Sequence, residues 1–318
     1  MMSMRCQNIE DIVSEVRRII DFEKRLNPED GAEFFFRGEV CNHATNSNDE
    51  IPTSFDCSLD RNESQIRHER DLYEEAMRYS VASFEWDRTM TERVARMQHY
   101  GLPTRFADLS ISALQATYFG CGGGDSNANR FVHLDGFIRI FKIASHKMKS
   151  FTSDIIVALS HLPLVDADKI HPGQPGGLDK LRYEVTKERP SFGLEKDWPE
   201  EAKRLHHDIE YVWAFKPILN NRRISYQEGI FLAFGCHADK KALHPSFSPA
   251  DYNNSHAPSY GIEQIGVVRL ASERKKEILD QLRIFGVLGE MVYPELEQSC
   301  KSITSRICKN GESNVLAK

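Results

Sequence analysis

An arginine closes a run of three phenylalanines early in the chain: Phe34-Phe35-Phe36-Arg37-Gly38-Glu39. Three consecutive phenylalanines fit a strand buried on both faces. A guanidinium at the end of such a strand cannot stay unpaired in the interior, so Arg37 either meets a carboxylate or holds an anionic ligand. Farther along, Met97 to Gly120 gathers an imidazole, a phenol, a hydroxyl, a guanidinium and a carboxylate in one turn: His99, Tyr100, Thr104, Arg105 and Asp108. Gly101 admits positive φ and Pro103 fixes its own φ, so the turn has a specified shape. Arg105 and Asp108 also read as a buried ion pair beneath a helix start. A third dense stretch, Arg222-Arg223-Ile224-Ser225-Tyr226-Gln227-Glu228-Gly229, runs into an apolar strand. Gly229 there lets another group approach the backbone closely.

These groups need a scaffold. Apolar residues recur at helical spacing over 9–22, 61–84, 89–98 (with Thr91 as cap), 113–120 (entered through Ser110 or Ser112) and 151–162. The same holds over 178–188, 200–207, 273–285 and 293–307. Strands are expected at 33–38, 135–143, 211–218, from Gln227-Glu228 to Phe234, and at 265–270. The stretch 237–260, rich in Pro, Ser, Asn and His, reads as a mobile loop. One domain over 30–310 is expected, with an N-terminal helix (1–29) packed on it and a tail at 311–318.

The chain has 318 residues, 40% hydrophobic and 28% charged, with a net charge of −6. This is ordinary for a globular protein and excludes a global basic field. A nucleic-acid partner would need a local patch such as Arg222, Arg223 and Lys216. Seven scattered cysteines without a CxxC pair argue against a disulfide framework or a zinc site. His237, His244 and His256 lack the spacing of a metal site. No metal is expected, and reduced thiols point to the cytoplasm. No run approaches a membrane span.

Several strings resemble the FRG domain family, named for Phe-Arg-Gly. Phe36-Arg37-Gly38 matches the name, and Gln98-His99-Tyr100-Gly101-Leu102-Pro103-Thr104-Arg105 matches the family's most distinctive string. Where the family reads Leu-Leu-Asp-Trp, this chain has Phe106-Ala107-Asp108-Leu109. Ala116-Thr117-Tyr118-Phe119-Gly120 is similar to the family's Ala-Leu-Tyr-Phe-Ala. Arg223, Ile224, Gln227, Gly229 and Phe231 fit its Arg-Ile-x-x-Gln-x-Gly-x-Phe, and Tyr293-Pro294-Glu295-Leu296 its Phe-Pro-Asp-Leu. The resemblance covers about residues 30 to 300. In the order of its elements the chain also resembles ADP-ribosyltransferases of the Arg-Ser-Glu type. It has Arg37-Gly38 on a first strand, Thr104 before a helix, and Gln227-Glu228 before a late strand. It lacks their Ser-Thr-Ser motif and a Glu-x-Glu at 226–228.

This second resemblance implies an α+β fold: a central, mostly antiparallel, split β-sheet flanked by helices, ADP-ribosyltransferase-like. It implies NAD as substrate. Arg37 would pair with the pyrophosphate, and the Gly38 N–H would serve the nicotinamide amide. Tyr100 or Tyr118 would stack on a ring, with Thr104 and Arg105 also lining the cofactor site. Gln227 would hydrogen-bond ribose or substrate. Glu228 would stabilise the oxocarbenium-like centre, with Glu39 as runner-up; Glu295 has Glu-x-Glu spacing with Glu297 but falls on an expected helix. His99 would act as a base or bind phosphate. The expected activity is ADP-ribosyl transfer to a macromolecule, RNA or protein, by a toxin or anti-phage defence effector with a neutralising antitoxin partner. The alternative is a non-catalytic module that senses a nucleotide or another anion.

Overall fold

A computed structural model describes residues 4–28, 31–42, 55–61, 63–123, 131, 133–166, 170, 177–192, 198–220, 225–226, 229–237 and 243–293. Gln227, Glu228, Glu295, Arg222, Arg223 and the expected 293–307 helix beyond Tyr293 lie outside the described residues.

Local chemistry explains the first helix, α1 (Ile9–Leu26). The Asn8 side chain accepts the Asp11 N–H at its start, acids fill the first turn, and Lys24 and Arg25 fill the last. Its buried face carries Ile9, Ile12 and Val16. Just before it, the two-residue strand β1 (Arg5–Cys6) extends the sheet edge, pairing in parallel with β8 (Ile262–Leu270). Asp135, fully buried, ties this edge together by accepting from Arg5, Arg269 and the Ser272 N–H.

Between β1 and β8 run β2 (Glu33–Glu39), β3 (Phe106–Ser110), β4 (Gly136–Ile143), β5 (Met148–Ser150), β6 (Val212–Lys216) and β7 (Gly229–Phe234). Together they make one eight-stranded sheet, ordered β1-β8-β4-β2-β3-β7-β6-β5. All neighbours are antiparallel except β1/β8 and β5/β6. The α+β class and the mostly antiparallel central sheet are therefore observed.

Several expectations change. The 61–84 helix is four pieces: a 3-10 turn (Ser58–Arg61), α2 (Glu63–Arg67), α3 (Glu69–Ser80) and a second 3-10 turn (Val81–Phe84). The cap of α4 (Met90–His99) is Thr89, not Thr91; Thr89 and Glu92 satisfy each other's backbone N–H in a capping box. Thr91 is buried against Ser160. Strand β3 occupies residues read from sequence as turn. Ser112 caps α5 (Ala113–Gly120), as one of the two expected positions. The helices α6 (Asp154–His161), α7 (Asp179–Glu188) and α8 (Trp198–Asp208) fall near their expected places. The expected mobile loop 237–260 instead contains α9 (Pro249–Asn253) and buries Leu243 and Phe247 in the core. Among the described residues, two helices follow β8: α10 (Lys275–Ile284) and α11 (Gly289–Val292).

Side-chain alternation along the strands divides the core. One face carries a single continuous cluster, with Phe35, Ala107, Leu109, Phe141, Leu232 and Phe234 packed under Phe55 and Phe247. The other face carries two clusters. Phe36, Ile138, Ile140 and Val268 pack with α1, α5 and α10, whereas Phe106, Phe215, Phe231 and Ala233 pack with α4, α6 and α7. The divide between them falls at the junction of β2 with β3.

Candidate functional site

Strands β2 and β3 are joined through one residue pair, Phe36 with Ser110. Beyond it they splay, and β3 must satisfy its open edge by other means. The Asp108 carbonyl accepts from Arg37 Nη1 at 2.8 Å, and the Thr104 carbonyl accepts from the Leu59 N–H at 3.2 Å. A side chain and a loop thus stand where a strand would continue.

The Arg37 guanidinium lies in this seam with 19% of its side chain exposed. Its Nε is 3.4 Å from Glu39 Oε1, and its Cζ sits 5.0 Å from the Phe55 ring centroid. Arg139, opposite Arg37 on β4, takes the other Glu39 oxygen at 2.9 Å and donates to Gln264 at 2.7 Å. Arg139 is buried, so Glu39 is held mainly by Arg139. Among the described residues, two guanidinium groups share one carboxylate on this face of the seam.

The carboxylate of Asp108 leaves the strand on the face shared with Phe106, opposite that of Arg37. It receives Gln98 Nε2 at 2.9 Å and faces His99 Nδ1 at 3.1 Å. The imidazole is buried and packs edge-on against Phe231 at 5.0 Å. Gln98 Oε1 accepts from Thr104 Oγ1 at 2.7 Å and Ser58 Oγ at 3.0 Å. Ser58 Oγ also receives the Thr104 N–H at 3.0 Å. The octapeptide 98–105 therefore ends α4, turns at Gly101 (φ 85°) and is pinned to the seam by Gln98.

Against the FRG domain family model, the match covers residues 32–129. Residues 32–129 are similar to the FRG domain. The matched segment runs from β2 through α5, so it contains both sides of the seam. The strings at 223–231 and 293–296 lie beyond it. Neither a curated protein nor a solved structure matches the chain significantly.

Within the matched segment, the nominated residues separate. Arg37, His99 and Thr104 meet around Asp108 and Gln98. Arg105 does not join them, nor does it pair with Asp108. It is 2% exposed and forks onto Glu69 of α3, at 2.8 and 3.1 Å. Burial opposes its charge, and the Glu69 carboxylate outweighs that, holding the guanidinium protonated. It staples α3 beneath the sheet. Gly38 serves packing rather than an open N–H. A Cβ there would lie 1.8 Å from the Ala116 carbonyl oxygen, so α5 crosses directly over it.

Tyr118 is buried in the α1–α5–α10 cluster beside Phe119, and burial pushes its phenol above the usual range. Tyr100 stands half-exposed at the C-cap of α4. Sequence reasoning missed Arg139 and Gln98, and it set Asp108 in the dense turn without naming a partner for it other than Arg105. Its signal was available: Asp108 is the lone carboxylate within Phe106–Ser110.

The β7 strand pairs with β3, Gly229 opposite Ser110. Gln115 Nε2 donates to the Tyr226 carbonyl at 2.6 Å, and its Oε1 accepts from Ser110 Oγ at 3.0 Å. The backbone on either side of the Gln227-Glu228 step is thereby tied to β3 and α5 next to the seam. Among the described residues, Cys6, Cys41, Cys57, Cys121 and Cys236 are buried and outside any disulfide. Burial pushes the Cys6, Cys57 and Cys121 thiols up to about 12, so they are poor nucleophiles. No helix among the described residues is long and apolar enough to cross a membrane.

Proposed function

We propose that the β2–β3 seam binds the pyrophosphate of NAD at Arg37, and that the protein transfers ADP-ribose to a macromolecule, RNA or protein, as a toxin or defence effector. One observation carries this reading. Arg37 is partly exposed in an opened seam and is fixed there by the Asp108 carbonyl, with Glu39 drawn mainly to Arg139. A guanidinium so oriented keeps donors for a bidentate anion.

In the reaction, the bond from ribose C1′ to the nicotinamide nitrogen breaks, and its electron pair leaves with nicotinamide. The acceptor oxygen or nitrogen then bonds C1′, and its proton passes to a base. The charge developing at C1′ calls for a carboxylate. Glu228, next to Gly229 in sequence, is the assigned group. Glu39 is neutralised by Arg139 and acts as a brace for Arg37. His99, buried with Asp108 on the sheet face opposite Arg37, positions the octapeptide beside the seam.

A second reading has its own support. The carboxylates described around the seam, Glu39 and Asp108, are both engaged by neighbours. That suits a nucleotide-sensing module without turnover. Incubation with labelled NAD and cell extract separates the two. Transfer of label, lost in Glu228→Gln and Arg37→Ala, supports the enzyme. Saturable NAD binding without transfer supports the sensor, and no binding by the intact protein refutes both.

A further inference from the structure

Asp56, Asp60 and His244 bring their ligand atoms within 4.8 Å of one another. His244 Nδ1 is 3.0 Å from Asp60 Oδ2 and 3.4 Å from Asp56 Oδ1. Around a tetrahedral zinc ion with ligand distances near 2.0–2.1 Å, neighbouring ligand atoms stand about 3.3 Å apart. Both separations are close to that edge length.

Asp60 makes the cluster more than a surface group of acids. Its side chain is only 7% exposed, and its partner among the described residues is His244, itself a member of the cluster. Arg105, a cation that acts on Asp60 from among the described residues, is committed to Glu69. Among the described residues, a buried carboxylate beside a second carboxylate has one imidazole to balance them.

We propose that Asp56, Asp60 and His244 bind a divalent transition-metal ion of the zinc class, with solvent completing its coordination. One imidazole nitrogen and two carboxylate oxygens form a donor set that such ions accept. The ion braces the fold where the octapeptide is held. Asp60 lies in the 3-10 turn Ser58–Arg61, whose Ser58 and Leu59 bond Gln98 and Thr104. His244 follows the buried Leu243, in the segment between β7 and α9. The metal would clamp these two distant segments together. Sequence spacing hides this site because the histidine and the aspartates are remote in the chain.

The test uses the full chain, stripped with chelator and titrated calorimetrically with zinc chloride. The wild type should bind about one equivalent, and its unfolding midpoint should rise with zinc. Asp60→Asn and His244→Ala should bind at least tenfold more weakly. His244 is 70% exposed, so His244→Ala keeps the fold, as circular dichroism without metal checks. Cobalt substitution should give d–d bands without thiolate charge transfer, separating this site from the cysteines. Equal affinity in wild type and His244→Ala, absence of saturable binding, or a thiolate band each overturns the proposal.

Discussion

Arg37 Nη1 donates to the main-chain carbonyl of Asp108 at 2.8 Å, across a junction where two strands share one residue pair. The side chain therefore completes the hydrogen bonding of the neighbouring strand while lying in the seam. Arg37→Ala should weaken NAD binding about ten- to a hundredfold, from the loss of charge-assisted hydrogen bonds of about 1.5–3 kcal/mol each. Arg37→Lys should restore little, because an ammonium cannot bridge the carbonyl and a pyrophosphate in one plane. Calorimetric titration with NAD reads both.

Arg105 and Glu69 form a buried fork, and the pair is structural. Arg105→Ala should destabilise by about 3–5 kcal/mol by stranding the Glu69 carboxylate. Arg105→Met combined with Glu69→Leu should recover much of that loss. Urea denaturation of both variants checks it.

Gly38→Ala should cost about 3 kcal/mol, because its Cβ meets the Ala116 backbone at 1.8 Å and α5 must move. Gly101→Ala is a contrasting case: no atom lies within 4 Å of the added Cβ, and the strain is confined to positive φ. Its cost should be about 1 kcal/mol, within the range for a non-glycine residue in a sparsely populated backbone region. Paired thermal melts separate crowding from backbone strain.

Lys147 supplies a pH signature. It is 1% exposed, with its ammonium 4.1 Å from the Trp213 ring centroid and 4.4 Å from that of Tyr211. Burial pushes its pKa down to about 7 from an ordinary 10.5. Between those values the unfolded chain holds a proton that the folded chain has released. This group's contribution to stability therefore rises as pH increases from about 7 to 10, and its penalty is complete below about 7. Lys147→Met should flatten that rise in urea unfolding measured across the range.

Asp135 behaves in the opposite sense. Burial disfavours its charge, but the hydrogen bonds from Arg5, the Ser272 N–H and Arg269 hold its carboxyl well below the ordinary 3.8. Its stabilisation is fully present above that value and is lost as pH falls below it. Asp135→Asn should therefore be less stable at neutral pH, with the gap to wild type closing in acid, as acid-unfolding curves would read.

What the residues alone determined was the identity of the dense strings and the periodic elements around them. Phe34–Arg37 is a strand because its aromatics suit a sheet covered on both faces, and Ile9–Val16 is a helix because its apolar stripe repeats every turn. The resemblance to the FRG domain family was legible in Gln98–Arg105, since that string is contiguous in the chain. Only the tertiary structure decided partners. Arg105 meets Glu69 rather than Asp108, and Gly38 lies under α5, because both contacts join segments far apart in sequence. Strand β3 escaped the sequence because five residues with a central aspartate show little periodicity; its strand character comes from pairing with β7. Local propensity reports on neighbours along the chain, whereas charges and close approaches are settled by whichever distant group the packed sheet delivers.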